Sequence, residues 1–131
     1  MIKNIRHTCL IVDDIAKTHQ FYSDILELKL ISSGFEKDKF IKNLLNLSQL
    51  CWAKYITENG NILEFYFMSN CPSSSFAHVS FTVDNIKKLR NKLIKNKIQC
   101  STIEINKTKT CKIMFCRDPF QNLIEFVEDI K

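Results

Sequence analysis

The chain has 131 residues, 45% of them hydrophobic and 25% charged, with a formal net charge of +5. That length suits one domain, and that composition is neither a disordered tail nor a disulfide-dense miniature. No apolar run approaches the roughly 20 residues a membrane helix needs, and the start, MIKNIRHTCL, has no signal-peptide core, so a cytoplasmic protein without a membrane partner is expected.

The six cysteines, at 9, 51, 71, 100, 111 and 116, form no CxxC pair. In a reducing compartment they are expected as packed thiols rather than a disulfide frame or zinc knuckle. The basic run Lys87, Lys88, Arg90, Lys92, Lys95 and Lys97 carries no interleaved aromatics. It reads as the solvated face of one helix, and no nucleic-acid partner is expected.

In chain order, Ile5–Val12 alternates as a strand does, with His7, Cys9 and Ile11 on one face. Asp13 or Asp14 is placed to cap a helix that turns Ile15, Tyr22, Ile25 and Leu26 inward. Leu28–Ser32 predicts a second strand, ended by Ser33-Gly34. Phe35–Leu50 reads as a short helix or loop lining an apolar pocket, or equally as a surface loop pinned by its apolar side chains. Cys51–Thr57 and Ile62–Met68 flank Asn59-Gly60, a strong hairpin signal. Ser69–Ser75, with Pro72 and three serines after it, predicts a linker over 70–75. Then the pattern restarts: strand His78–Val83, cap Asp84, and a helix with Ile86, Leu89, Leu93 and Ile94 inward. Strands Ile98–Ile105, Cys111–Cys116 and Asn122–Val127 follow, the last two joined by the turn Arg117–Gln121.

The restart is a repeat in letters as well as in pattern. His7–Thr18 against His78–Leu89 keeps five of twelve positions: His7/His78, Val12/Val83, Asp13/Asp84, Ile15/Ile86 and Lys17/Lys88. Asn61-Ile-Leu-Glu64-Phe65 against Asn122-Leu-Ile-Glu125-Phe126 differs only by exchanged Ile and Leu. Each half is therefore a βαβββ module, about 1–69 and 76–131. At about 65 residues each half buries a marginal core alone, so the two are expected to pack as one domain over 1–131.

Glu64 and Glu125 interrupt strands that are otherwise apolar, and a carboxylate buried there unpaired costs several kcal/mol. Each shares its face with a histidine of its own half. A lone strand histidine is ordinarily a hydrogen-bonded structural residue, and a lone strand glutamate an exposed one. Four such residues at equivalent places in two copies change that reading. Two neutral imidazoles and two carboxylates balance a divalent charge and suit Zn, Ni, Co, Mn or Fe. His7, Glu64, His78 and Glu125 are thus the candidate metal ligands. His19 has no counterpart in the second half and reads as a surface helix residue; Cys9, on the His7 face, reads as packed.

These segments resemble the vicinal oxygen chelate superfamily over essentially the whole chain. The resemblance rests on His7…Val12-Asp13-Asp14 with Phe21-Tyr22, on His78…Val83-Asp84, and on Asp118-Pro119…Asn122-Leu-Ile-Glu125. The superfamily includes glyoxalase I, methylmalonyl-CoA epimerase, extradiol dioxygenases, fosfomycin-resistance proteins and bleomycin-binding proteins. The resemblance implies an α+β fold in which two paired βαβββ modules form a cup-shaped mixed sheet around one divalent metal ion.

Four intact ligand positions resemble glyoxalase I more than the three-ligand members. That likeness implies a lactoylglutathione lyase-like enzyme acting on an α-oxoaldehyde–thiol adduct or similar α-oxygenated small molecule through an enediolate. Glu125, or Glu64, would shuttle the proton between adjacent carbons. It also implies a possible homodimer. The alternatives are a methylmalonyl-CoA-like epimerase and a non-catalytic small-molecule-binding or resistance protein. Cys9 stands where glutathione-using members usually carry arginine, Met68 where they tend to carry a polar residue, and Gln121 where the final turn normally has glycine. A thiol adduct other than glutathione's, or a different α-oxygenated substrate, is therefore expected.

Overall fold

A computed structural model of the chain describes residues 1, 3, 5–69 and 78–131. The expected linker at 70–75 and Cys71 lie outside them. The chain divides into two compact units, Met1–Pro72 and Ser73–Lys131.

The first unit runs β1 (His7–Val12), α1 (Ile15–His19) widening into a π-helical turn over Gln20–Ile25, then β2 (Lys29–Phe35), α2 (Lys39–Leu44), β3 (Cys51–Ile56) and β4 (Ile62–Phe67). Its sheet has the order β1-β4-β3-β2, with β1 parallel to β4 and the other pairs antiparallel. The second unit runs β5 (Val79–Thr82), α3 (Ile86–Lys95), β6 (Glu104–Ile105), β7 (Cys111–Arg117) and β8 (Leu123–Asp129), in the order β5-β8-β7-β6. Two four-stranded mixed sheets, each of βαβββ topology, give the α+β class expected.

One face of each sheet is apolar and helix-covered. In the first unit Leu10, Val12, Ala53, Tyr55, Leu63 and Phe65 are buried with Phe21, Tyr22 and Ile25 of the helical segment. Tyr22 and Phe65 have ring centroids 4.5 Å apart, and Tyr55 meets Phe65 edge-on at 5.5 Å. In the second unit Met114, Ile124 and Phe126 are buried with Ile86 and Leu93 of α3. Each of the buried Leu, Ile, Val, Phe and Met side chains contributes about 1.5–3 kcal/mol of transfer free energy.

The helix starts sharpen the expectation. Asp14 caps α1, accepting the Lys17 amide at 2.8 Å. In the second unit the cap is Asn85, not Asp84; it accepts the Lys88 amide at 2.9 Å, so both helices use the second residue of the repeated pair. Ile15 and Ile94 are not inward, being 60% and 48% exposed. Ile94 follows Leu93, and successive helical residues stand about 100° apart, so only one faces the sheet.

Two other boundaries differ. Strand β2 continues through Ser33-Gly34 to Phe35, because these residues pair with Ala53, Trp52 and Cys51 of β3; a Cβ at Gly34 would meet the indole at 3.4 Å, an ordinary contact. Strand β6 shrinks to two residues plus a bridge between Cys100 and Cys116. The Ser101 hydroxyl donates to the Thr102 carbonyl and accepts the Phe115 amide of β7 at 2.9 Å, and the Thr102 hydroxyl donates to Glu104, so side chains compete with the ladder. Residues 35–50 hold the short surface helix α2, capped by Asp38, with Phe40 and Leu44 each 67% exposed. No helix among the described residues is long and apolar enough to cross a membrane.

Candidate functional site

The second sheet face of each unit carries the residues in question. Register counted from Glu64 puts Cys9 beside it on β1 and Lys54 beside it on β3. Ser80 and Phe115 stand beside Glu125 in the same way. Each histidine sits two residues before the strand partner of its glutamate, hence on the same face. His7 Nε2 lies 2.9 Å from Glu64 Oε2, and His78 Nε2 lies 3.3 Å from Glu125 Oε2. Among the described residues no three His, Cys, Asp or Glu side chains gather into one metal-holding group; the expected ligands come together two by two.

Glu64 is a buried carboxylate, 6% exposed. His7 is its partner, and in a β-strand otherwise filled by Leu63 and Phe65 that pairing is what makes the charge tolerable. Ligand atoms about 2.0–2.2 Å from a common ion are about 3.0 Å apart at a right angle and about 3.4 Å apart at a tetrahedral angle. Both pairs have that spacing, and nitrogen with oxygen donors is the set that borderline divalent metals accept. Each pair by itself has the donor atoms and the spacing of two ligands of such an ion.

Each glutamate strand is entered by the same five-residue turn. In Thr57–Asn61 the first amide donates to the fifth carbonyl at 2.9 Å and the fourth amide to the first carbonyl at 3.0 Å. Asp118–Asn122 repeats both bonds, at 3.0 and 3.1 Å. The first side chain accepts the fifth amide in each, Thr57 Oγ1 at 3.0 Å and Asp118 Oδ1 at 2.8 Å. The fourth position needs a left-handed backbone, supplied by Gly60 at φ 88° and by Gln121 at φ 70°. Gln121 thus keeps the geometry a glycine would give, at a conformational cost of about 1–2 kcal/mol. In the second turn Asp118 and Asn122 are both buried, and Asn122 Nδ2 adds a bond to Asp118 Oδ2 at 2.8 Å.

Cys9 is on the His7–Glu64 face but is no ready nucleophile. Burial first, then the charge of Glu64, push its thiol up to about 12, outweighing the Tyr66 amide that pulls the other way. His19 is half-exposed at the surface, tethered through Nδ1 to the Tyr55 hydroxyl at 3.0 Å, away from the paired histidines' chemistry. Trp52, Lys54 and Tyr66 share the Glu64 face and were not singled out as site residues from sequence. Counting back across the Asn59-Gly60 hairpin from Glu64 would have found them.

Residues 4–126 match the family described as Glyoxalase/Bleomycin resistance protein/Dioxygenase superfamily. The chain belongs to that superfamily. It is 28% identical over 124 residues to the uncharacterized protein YaeR of Escherichia coli K12, covering 90% of each chain. In fold it is similar to a glyoxalase family protein from Bacillus cereus, with a TM-score of 0.81 at 15% identity over 100% of this chain and 97% of that one. It is also similar to the fosfomycin resistance protein FosX from Listeria monocytogenes, solved with Mn(II) and sulfate, with a TM-score of 0.73 at 17% identity over 99% and 95%.

Proposed function

We propose that this superfamily member is a metal-dependent, glyoxalase I-like lyase or isomerase. In this reading His7, Glu64, His78 and Glu125 hold one divalent ion: Zn, Ni, Co, Mn or Fe. The observation that carries it is the matched pair of His–Glu contacts, at 2.9 and 3.3 Å, at equivalent strand positions of the two units. Manganese in the Listeria protein of similar fold supports the class of ion.

When bound, such an ion supplies Lewis acidity toward the oxygens of a substrate that carries a hydroxyl beside a carbonyl. The chain's own part is the proton. Glu125 or Glu64 takes a proton from one carbon and returns it to the next, converting an α-oxoaldehyde–thiol adduct to its hydroxyacyl thioester without net oxidation. Glu125 is the more open of the two carboxylates, 17% exposed in its side chain against 8% for Glu64, which favours it as the group that meets substrate. Cys9, beside Glu64, stays a neutral thiol and takes no covalent part.

The test is turnover of α-oxoaldehyde–thiol adducts, glutathione and other thiols alike, by protein reloaded with nickel, cobalt or zinc. Turnover that disappears in Glu125→Gln supports the reading. Deuterium exchange into an acyl-CoA without lyase activity would instead assign an epimerase, and tight ligand binding without turnover a binding protein.

A further inference from the structure

On the Glu64 face of the first sheet, Lys54 lies with its ammonium 5.3 Å from the centroid of the Trp52 ring. Lys54 is the strand neighbour of Glu64, yet no ion pair joins them; Glu64 is held by His7 at 2.9 Å instead. Glu36, whose charge also reaches Tyr66, is engaged by the Asp38 amide at 3.0 Å. Beside Lys54 on the same face stand Trp52 and Tyr66, direct partners across β3 and β4. Among the described residues the Lys54 ammonium, the Trp52 indole N–H and the Tyr66 hydroxyl have no hydrogen-bond acceptor within the protein.

Ser32 lies opposite Lys54 and Gly34 opposite Trp52, and the indole rests over the Gly34 backbone. The cation is held there by the ring rather than by a carboxylate, so no protein anion must be displaced before a ligand anion can bind. Among the described residues of the second unit nothing is equivalent: Phe115 occupies the place of Lys54, and Ile113 that of Trp52.

We propose that Lys54, Trp52 and Tyr66 form an oxyanion subsite that takes the carboxylate or phosphate group of a small molecule. A planar or tetrahedral oxyanion accepts from an ammonium, an indole N–H and a phenol at once, and charge-assisted bonds of this kind are the stronger sort. The consequence for substrate rests on the function proposed above: it carries an anionic group on the side of the first unit. The subsite itself does not depend on that function.

Trp52 is the only tryptophan of the chain, so its fluorescence reports on this place alone. The experiment titrates the full chain, without metal or substrate, with inorganic phosphate in one arm and succinate in another, at ionic strength matched with sodium chloride. The expected result is a saturable change in Trp52 emission with at least one of them, which also tells carboxylate from phosphate. Lys54→Met is expected to weaken that binding about tenfold or more, Lys54→Arg to retain most of it, and Tyr66→Phe to fall between. Circular dichroism of each variant establishes that it is folded. No saturable change with either anion, or unchanged binding in folded Lys54→Met, overturns the proposal. A lyase assay fails or succeeds separately, because neither arm contains its substrate.

Discussion

The two units carry the same pair and the same turn in different surroundings. In the first, the glutamate is 6% exposed, flanked by Cys9 and Lys54, and reached through a turn that uses glycine. In the second, it is flanked by Ser80 and Phe115 and reached through a turn that uses glutamine, tied down by buried Asp118 and Asn122. What both copies keep is the placement of histidine and glutamate. What they vary is the side chains on either strand beside the glutamate. That division is the one expected if the pairs serve a common chemistry and the neighbours serve selection.

The largest way to break the comparison is to neutralise one carboxylate at a time. Glu125→Gln is expected to lower kcat by about 10²–10⁴, the ordinary worth of a positioned acid–base group, measured on whichever thiol adduct proves a substrate. Glu64→Gln separates the roles: an equal loss in both would mean that neither unit alone supplies the proton carrier.

The turns give the next largest effect. Asp118 accepts from the Phe120 and Asn122 amides and from Asn122 Nδ2, at 2.8–2.9 Å. Asp118→Ala leaves buried donors unpaired and is expected to cost about 3 kcal/mol or more in urea unfolding. Thr57→Ala, which removes one exposed acceptor from the matching turn, is expected to cost about 1 kcal/mol. Equal losses would show that the second turn's buried network adds nothing.

Smaller and opposite in sign are substitutions at the fourth turn position. Gln121→Gly relieves a left-handed non-glycine residue and is expected to stabilise the chain by roughly 0.5–1 kcal/mol after the added chain entropy is deducted. Gly60→Ala is expected to destabilise by about 1 kcal/mol, through backbone strain rather than contact, since open space surrounds the position.

The smallest effect concerns two thiols, one per unit. Burial pushes both Cys9 and Cys116 up to about 12 from an ordinary 9.0. A raised acid binds its proton more tightly in the folded state, so stability from these groups is intact below pH 9 and declines between about pH 9 and 12. Urea midpoints are expected to show no such decline between pH 7 and 9, and neither thiol to react readily with an alkylating reagent at pH 8.

Much of this was legible in the chain. His7, Glu64, His78 and Glu125 announce themselves because a repeat doubles every signal, and because a carboxylate in an apolar strand contradicts its neighbours. Alternation then fixed which residues share a face, and Asn59-Gly60 fixed the hairpin. The misses have local causes. Asp84 and Asn85 are both good caps, and composition does not choose between them. Gly34 reads as a strand end, yet it pairs with Trp52 inside β2, and the ladder runs on to Phe35. Lys54 reads as an ordinary solvated lysine, since only cross-strand register sets it beside Glu64 and Trp52. Residues 98–105 look apolar enough for a strand, but the Ser101 hydroxyl takes the Phe115 amide that a ladder would need.

The central claim is that the two His–Glu pairs act as one centre. Elemental analysis of protein purified without chelators and then offered nickel, cobalt or zinc tests it, using wild type beside His7→Ala and His78→Ala. Native mass spectrometry adds whether the ion belongs to one chain or is shared by two copies. The account predicts about one ion per chain in wild type and loss of nearly all of it when either histidine is removed, since two remaining ligands hold a divalent ion weakly. Half the metal remaining in each variant, or none in wild type, would contradict it.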